Sequence, residues 1–551
     1  MTQIFAIEIE NFQSIEQRTR IEFKPITLLF GPNSAGKSSV FDALELLRVL
    51  LDPTKFDHEL ATNMIDRWAR RNGNDSVRKT FLAVEFPLNF IEFYELWGEN
   101  SNWPENLIKT GHPTFWWDLE DTVELHELEG SIVRIELYLE VINTRLSTEA
   151  YLSESLLSVK GLPLLKITKQ HLSQSDATKF EQISETGFYR NRWLSVFELL
   201  RHGQPDNEVN AIPMLMSLRP LAITHADIEH PDTNGYCRLA SEAFFYFGTI
   251  LFKSHRNKPG IVKADRRAPK PNEAMAVVDL GLSGWWSQSS FSPSSPASIL
   301  KSNSKDLDEH YQGLAEVVYA EFLLRTVNSE FWGSKHASKH VEPIRYQARV
   351  LEIINHHLEK SLFTEKLYKL SCAATLMVPI DLSEDDPWSY YALAQPAAVR
   401  LFLQDGDSQK VDFHDVGSGI PFVLPILFAV AWRGFVKVQQ PELHLHPALQ
   451  SSLADVFIEE LNRDGSGQFL IETHSEHLLL RFLRRIRDTE KGECLSNELR
   501  LSNKDVAIYY FDPQVNSGTV VTQQLVTPLG DFYTDWPRGF FAERNRDLFD
   551  E

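Results

Sequence analysis

Residues 26–51 constrain the fold more than any other stretch. Ile26-Thr-Leu-Leu-Phe30 is a continuous apolar run, the pattern of a central strand buried on both faces. It runs directly into Gly31-Pro-Asn-Ser-Ala-Gly36-Lys37-Ser38-Ser39, which fits GxxxxGK[ST]. Val40, Leu44, Leu47 and Leu51 then recur at helical spacing, and Pro53 is expected to end that helix. Strand, glycine-rich turn and helix in this order form a phosphate cradle, because loop N–H groups and the helix N-terminus point at phosphate oxygens. Asn33, Ser34, Ala35, Gly36, Lys37, Ser38 and Ser39 are therefore the expected nucleotide contacts. Lys37 reaches the terminal phosphates as a point charge, the Ser38 hydroxyl binds Mg²⁺, and Gly36 lets the backbone approach closely. The expected cofactors are ATP and Mg²⁺.

Strands and helices alternate at both chain ends. Ile4–Glu10 and Arg20–Phe23 read as strands before the motif. Near the other end Gly434–Val438, Gln468–Glu472, Val506–Phe511 and Thr519–Leu525 read as strands, with helices over Leu449–Leu461 and Leu478–Ile486. One α/β domain built from both ends follows. The expected organisation is a head formed by residues 1–51 and 365–551, interrupted by a mixed α+β insertion over 52–364. In the insertion Val77–Phe86 and Val133–Val141 read as strands, and Gly313–Phe331 and Glu342–Leu362 as helices. Ser283–Ser304 is a Ser/Pro-rich loop, and no heptad pattern persists long enough for a coiled-coil arm.

A P-loop needs an acid on Mg²⁺ at the end of a neighbouring strand. The candidate is Val436-Lys-Val-Gln439-Gln440-Pro441-Glu442-Leu-His444-Leu-His446-Pro447, where the expected chemistry falls to Gln439, Gln440 and Glu442. Val416-Gly-Ser418-Gly419-Ile420 precedes one helix, and Ile471-Glu-Thr-His474-Ser475-Glu-His477 leads into another.

On these motifs the N-terminal stretch resembles the RecF/SMC-type head of ABC-class ATPases. The C-terminal motifs, with the closing Asp535-Trp-Pro-Arg-Gly-Phe-Phe, resemble the AAA15/OLD-like ATPases. The resemblance covers residues 1–51 and 365–551 and implies an α/β, ABC-type P-loop NTPase head. It implies two heads sandwiching two ATP molecules. Ser418 and Gly419 would contact the γ-phosphate of the opposite head, His474 would be the switch histidine, and His446-Pro447 would lie in the D-loop. The family usually carries an acid where this chain has Gln439, and a neutral amide cannot supply a carboxylate's charge to Mg²⁺. Three readings are open: Glu442 substitutes, turnover is slow or absent, or Gln439 is an engineered replacement for Glu. Size and architecture further resemble the PtuA-type ATPase subunit of Septu anti-phage systems, including the retron-associated form. That implies a separate HNH-type nuclease partner and, in the retron case, a reverse transcriptase with its RNA–DNA product. The competing expectations are an SMC/RecF-like DNA-repair clamp and a non-hydrolysing ATP-binding scaffold. Only 77 residues follow His474, with no DxD among them, so no nuclease site is expected in this chain.

Composition bounds these expectations. The net charge of −21 argues against a protein that coats DNA by bulk electrostatics. The charge is uneven. Glu85–Glu129 holds eleven acids against Lys109, and reads as a docking face for a basic partner or as solvated surface. Lys253, Arg256, Lys258, Lys263, Arg266, Arg267 and Lys270, against Asp265 alone, form the basic segment. It reads as a solvated loop, a nucleic-acid contact or a source of an Arg for the ATP phosphates. Arg481, Arg484 and Arg485 share one helix face, Arg487 lies beside them, and internal acid pairing competes with a partner there. His444/His446 and His474/His477 lack the cysteine or acid of a zinc site. Cys237, Cys372 and Cys494 fit no disulfide framework, and Met1–Glu10 lacks a basic leader region. No apolar run reaches membrane-spanning length, so a cytoplasmic protein is expected.

Overall fold

The computed structural model describes residues 4–51, 58–70, 77–87, 130–143, 148–159, 161–172, 175–181, 261–264, 309–326, 338–377, 395–464 (without 414, 418 and 433), 467–515 and 518–534. The chain forms two compact units. Unit 1 comprises Met1–Lys24, Leu29–Asn257 and Ala507–Gln523; unit 2 comprises Pro25–Leu28, Lys258–Val506 and Gln524–Glu551. Each unit therefore joins N-terminal to C-terminal chain, and the strand Ile26–Phe30 contributes to both.

Unit 1 holds a long antiparallel sheet of β1 (Ala6–Glu10), β2 (Thr19–Glu22), β4 (Val77–Pro87), β5 (Ile132–Asn143), β6 (Thr148–Val159), β7 (Leu162–Leu172) and β8 (Ser175–Glu181), in the order β2-β1-β4-β5-β6-β7-β8. Glu85 starts the acidic stretch in the sequence but is no part of an exposed acidic face. It is 7% exposed and receives hydrogen bonds from Arg20 (2.8 Å) and Arg134. Arg134 also pairs with Glu8, and Arg18 donates to Glu8 at 2.8 Å. Burial pushes the Glu85 and Glu8 carboxyls up, but the arginine hydrogen bonds outweigh it and hold both below the usual range. The remaining acids of that stretch lie outside the described residues.

The end of β3 (Ile26–Phe30) also belongs to unit 1, beside β14 (Val506–Gln514) and then β15 (Gly518–Gln524). β3 is buried along its whole length, as its unbroken apolar pattern predicts. It leads through the glycine-rich turn into α1 (Ser38–Leu51), whose buried residues include Val40, Leu44, Leu47 and Leu51. α2 (His58–Trp68) contacts α1 and β6.

Unit 2 contains α3 (Glu309–Thr326), α4 (Ser338–His356) with a π-helical turn His357–Leu362, and an antiparallel sheet β11-β10-β9 (Lys410–Val411, Gln395–Gln404, Lys369–Met377). It continues with α5 (Gly419–Trp432), β12 (Phe435–Gln439), α6 (Pro447–Asp464), β13 (Gln468–Glu472) and α7 (Glu476–Glu490). β12 and β13 run parallel, with Val438 opposite Ile471 and Gln439 opposite Glu472.

α5 is apolar on every face and buried from Ile420 to Ala431 except Phe422. Its Pro425 lacks the N–H that would bond the Pro421 carbonyl one turn back. The Tyr311 hydroxyl from α3 donates to that carbonyl at 2.5 Å, so the lost bond is replaced from a neighbouring helix. Among the described residues, no helix is long and apolar enough to cross a membrane.

Arg481 and Arg485 of α7 are internal ties to α6. Arg485, 2% exposed, binds Asp455 of α6 through two bonds of 2.8 Å, and Arg481 binds the same carboxylate at 3.0 Å. Arg487 reaches Asp531 at 3.1 Å, and Arg484 turns outward toward Asp488.

Candidate functional site

In unit 1 the turn after β3 takes left-handed backbone at Gly31 (φ 147°), Ser34 (φ 62°) and Gly36 (φ 89°). A Cβ on Gly31 would sit 2.5 Å from the Phe511 carbonyl oxygen of β14. A Cβ on Gly36 would collide with the Ser14 hydroxyl. Both glycines are therefore required by φ, and also by close approach of the Phe511 backbone at Gly31 and of the Ser14 side chain at Gly36. Lys37 is 3% exposed, and its Nζ donates to the carbonyls of Gly31 (3.0 Å) and Pro32 (2.8 Å). Asn33 and Ser34 are exposed at the tip, Ser38 is half-buried at the start of α1, and Ala35 is buried. Ser39 differs from the sequence expectation: it points inward, and its hydroxyl donates to Gln13 Oε1 at 2.6 Å.

Gln13 and Ser14 were not singled out by sequence reasoning, yet they back the loop. Phe12 and Ile15 exchange two 2.9 Å backbone bonds in a tight turn, and Gln13 (φ 49°) sits inside it. Gln13 Nε2 donates to Asp42 Oδ2 at 2.6 Å, so one side chain braces two positions of α1. Thr519 of β15 closes the far side. Its N–H donates to the Ser14 carbonyl and its hydroxyl to the Ala35 carbonyl, both at 2.8 Å. A pre-shaped loop with a buried ammonium, opening on the N-terminus of a fourteen-residue helix, fits a polyphosphate.

In unit 2, β12 ends on Gln439. Its amide donates to Glu472 Oε2 at 3.2 Å, and the Gln440 N–H (φ 45°) donates to the Glu472 carbonyl at 2.7 Å. Glu442 accepts from the Thr473 hydroxyl (2.7 Å) and the His474 N–H (2.8 Å), and so holds the turn after β13. Ser475 caps α7 through Leu478 N and donates to Gln450 at 2.6 Å, fixing the turn that carries His474. Glu472 is 5% exposed and was not named as a site residue from sequence.

Gly419 opens α5, and a Cβ there would meet Leu445 at 3.3 Å; Ser418 lies outside the described residues. His444 packs its ring 4.2 Å from Phe422, His446 Nδ1 accepts from Ala448 N at the start of α6, and His477 is exposed on α7. Among the described residues, metal-ligand spacing occurs elsewhere, at His356, His357 and Glu459. There His357 is tied to Glu460 (2.8 Å) and Ser361 (3.1 Å), which reads as an internal α4–α6 link.

Of the basic segment only Lys263 is described; Lys253, Arg256, Lys258, Arg266, Arg267 and Lys270 lie outside the described residues. Its neighbour Val262 is fully buried and pairs with Val438 in parallel. Val262 N donates to the Lys437 carbonyl (2.9 Å), and Gln439 N donates to the Val262 carbonyl (2.8 Å). This part of the segment is thus bridged to β12 beside Gln439.

The described elements make a mixed α/β fold, and two ATPase-domain family models each match about a third of the chain. A family model described as "AAA ATPase domain" matches residues 3–188, and one described as "AAA domain, putative AbiEii toxin, Type IV TA system" matches residues 307–481. No curated protein matches the chain. Among solved structures, the chain is similar to the Smc head domain from Pyrococcus furiosus with an extended coiled coil, bound to the C-terminal domain of ScpA. That match has 11% identity and a TM-score of 0.38, covering 95% of this chain and 96% of that one. An SmcHead bound to the C-winged helix domain of ScpA gives 11% identity, a TM-score of 0.40 and coverage of 95% and 98%. The SMC head domain from Thermotoga maritima gives 9%, 0.31 and coverage of 94% and 98%.

Proposed function

We propose that this chain is the ATP-binding subunit of a bacterial anti-phage complex, in which ATP-dependent pairing of two heads gates a separate HNH-type nuclease. The observation that carries the nucleotide part is the loop geometry: a buried Lys37 held by two loop carbonyls beside the N-terminus of α1. Lys37 and the loop N–H groups would hold the phosphates, and Ser38 would take Mg²⁺, which neutralises developing charge when bound. Residues 1–51 and 365–551 would supply the head, with 52–364 as the insertion. Ser418 and Gly419 would face the partner head's nucleotide, and His474 would sense its γ-phosphate. The toxin–antitoxin wording of the second family model supports a defence role. A retron-associated form would add a reverse transcriptase and its RNA–DNA product. The acidic stretch Glu85–Glu129, apart from the buried Glu85, would dock a basic partner. The chain would act in the cytoplasm.

The test is light scattering with and without ATP and Mg²⁺, combined with co-purification of the native operon products. The expected result is ATP-dependent pairing, lost in Lys37→Ala, and a co-purifying nuclease. A chain that binds long duplex DNA alone in an ATP-dependent manner would favour the SMC/RecF-like clamp. Tight ATP binding without phosphate release would favour the scaffold.

A further inference from the structure

We propose that His356, His357 and Glu459 bind a transition-metal dication, Zn²⁺, which clamps the π-helical turn of α4 to α6. All three residues belong to unit 2, and the site is independent of the nucleotide reading. Each brings one ligand atom to within 4.8 Å of the others. His357 sets the site from inside. It is 1% exposed, and its Nε2 lies 2.8 Å from Glu460 Oε1. Arg463 donates to that same oxygen at 2.8 Å, so the oxygen accepts and the hydrogen-bond network assigns the ring proton to Nε2. The neutral ring then presents a lone pair at Nδ1, which faces Glu459 Oε2 at 3.5 Å. Two electron-pair donors in this position repel one another, and a cation between them turns the repulsion into two bonds. A ring N–H on a carboxylate, with the second nitrogen turned to the ion, is also the arrangement that orients metal-bound imidazoles.

The distances suit a small ion. Zn–N and Zn–O bonds of about 2.0–2.2 Å place tetrahedral ligand atoms about 3.4 Å apart, which is the spacing that His357 Nδ1 and Glu459 Oε2 already have. His356 is exposed, and its ring centroid lies 5.3 Å from that of His357, so rotation of one surface side chain closes the third contact. The Ser361 hydroxyl, 3.1 Å from Nδ1, is the donor that the metal displaces. Two imidazoles and one carboxylate favour Zn²⁺ over Mg²⁺ or Ca²⁺, which take oxygen ligands. The backbone switches to π-helical bonding at His357, directly after His356, and such turns gather at functional sites.

The experiment titrates Zn²⁺ into metal-stripped full-length protein against a chromophoric chelator, without nucleotide, and repeats the titration with Co²⁺ to read the ligand field. Wild type takes Zn²⁺ from the chelator, and His356→Ala and Glu459→Gln each weaken binding roughly tenfold or more. Ser361→Ala binds at least as tightly as wild type, because it removes only the displaced donor. His477→Ala, which removes an exposed histidine on α7, leaves the affinity unchanged. Zn²⁺ raises the melting temperature of wild type and not that of His356→Ala. Since His356 is exposed, that variant folds as wild type does, and circular dichroism verifies it. Wild type that leaves Zn²⁺ on the chelator overturns the assignment, and a proton then closes the His357–Glu459 contact. Equal Zn²⁺ affinity in wild type, His356→Ala and Glu459→Gln overturns it too, as does loss of binding in His477→Ala.

Discussion

Replacing Gly36 by Ala tests whether the Phe12–Ile15 turn is a wall of the phosphate loop. Two costs arise. The backbone at Gly36 has φ 89°, where an L-residue pays roughly 1–2 kcal/mol or more. The new methyl also collides with Ser14 Oγ. Ser14 cannot simply step back, because its carbonyl is held by Thr519 N at 2.8 Å and by Arg70 at 3.1 Å. Overpacking of this kind costs roughly 1–3 kcal/mol, so Gly36→Ala should cost about 2–5 kcal/mol in all. If the loop relaxes to relieve it, the cost moves into ATP affinity at about 1.4 kcal/mol per tenfold. Ser14→Ala separates the two costs. Ser14 Oγ is buried without a hydrogen-bond partner, so its removal alone should be nearly neutral. In the double variant the nearest contact becomes Ser14 Cβ at 3.1 Å, and about 1–3 kcal/mol should return while the φ cost remains. The assays are thermal melting and titration with a fluorescent ATP analogue. A double variant no better than Gly36→Ala in either assay would refute the packing of this turn on the loop.

Other parts of the fold give further expectations. Asp455→Ala removes both 2.8 Å bonds of the 2%-exposed Arg485 and leaves only Asp488 at 3.6 Å; at up to roughly 3–5 kcal/mol for such a break, the melting temperature should fall by on the order of 10 °C, and calorimetry checks it. Tyr311→Phe removes the donor to the Pro421 carbonyl and should cost about 1–3 kcal/mol in denaturant unfolding without changing the helical content. Glu85 and Glu8 have depressed carboxyl pKa values in the folded state. Their stabilisation is present above the ordinary carboxyl range and lost as pH falls through the lowered values, so Glu85→Gln should flatten the acid limb of stability measured between pH 6 and pH 3.

The sequence was most legible where a single physical pattern dominated. β3 and β13 are buried on both faces, so an unbroken apolar run marked their ends, and α1 followed from its helical spacing. β6 to β8 were not anticipated: Thr-Glu-Ala-Tyr-Leu-Ser-Glu-Ser carries too many polar residues to signal a strand, and only pairing with β5 makes it one. The three-stranded sheet around β9 and β10 was also missed, because alanine pairs (Ala373-Ala374, Ala397-Ala398), poor strand formers, interrupt both strands. At the site, the glycine-rich loop was readable because its motif is contiguous. Its support was not: the left-handed turn at Asn11 and Gln13 leaves no periodicity, and Thr519 joins it from nearly five hundred residues away. Glu472 stood in a recognised motif, but its contact with Gln439 depends on the β12–β13 register, which no local pattern encodes. For the arginines of α7 the choice between a partner and internal pairing stayed open in the sequence, because Asp455 lies 26 and 30 residues upstream of Arg481 and Arg485.

The central claim is that Gly31–Ser39 binds the phosphates of ATP. Isothermal titration of ATP with Mg²⁺ into wild type and Lys37→Ala, with both shown to be folded by circular dichroism, tests it most directly. Saturable binding by wild type, with affinity lost on removal of the Lys37 ammonium, is the predicted result. Equal affinity in the two proteins would contradict it.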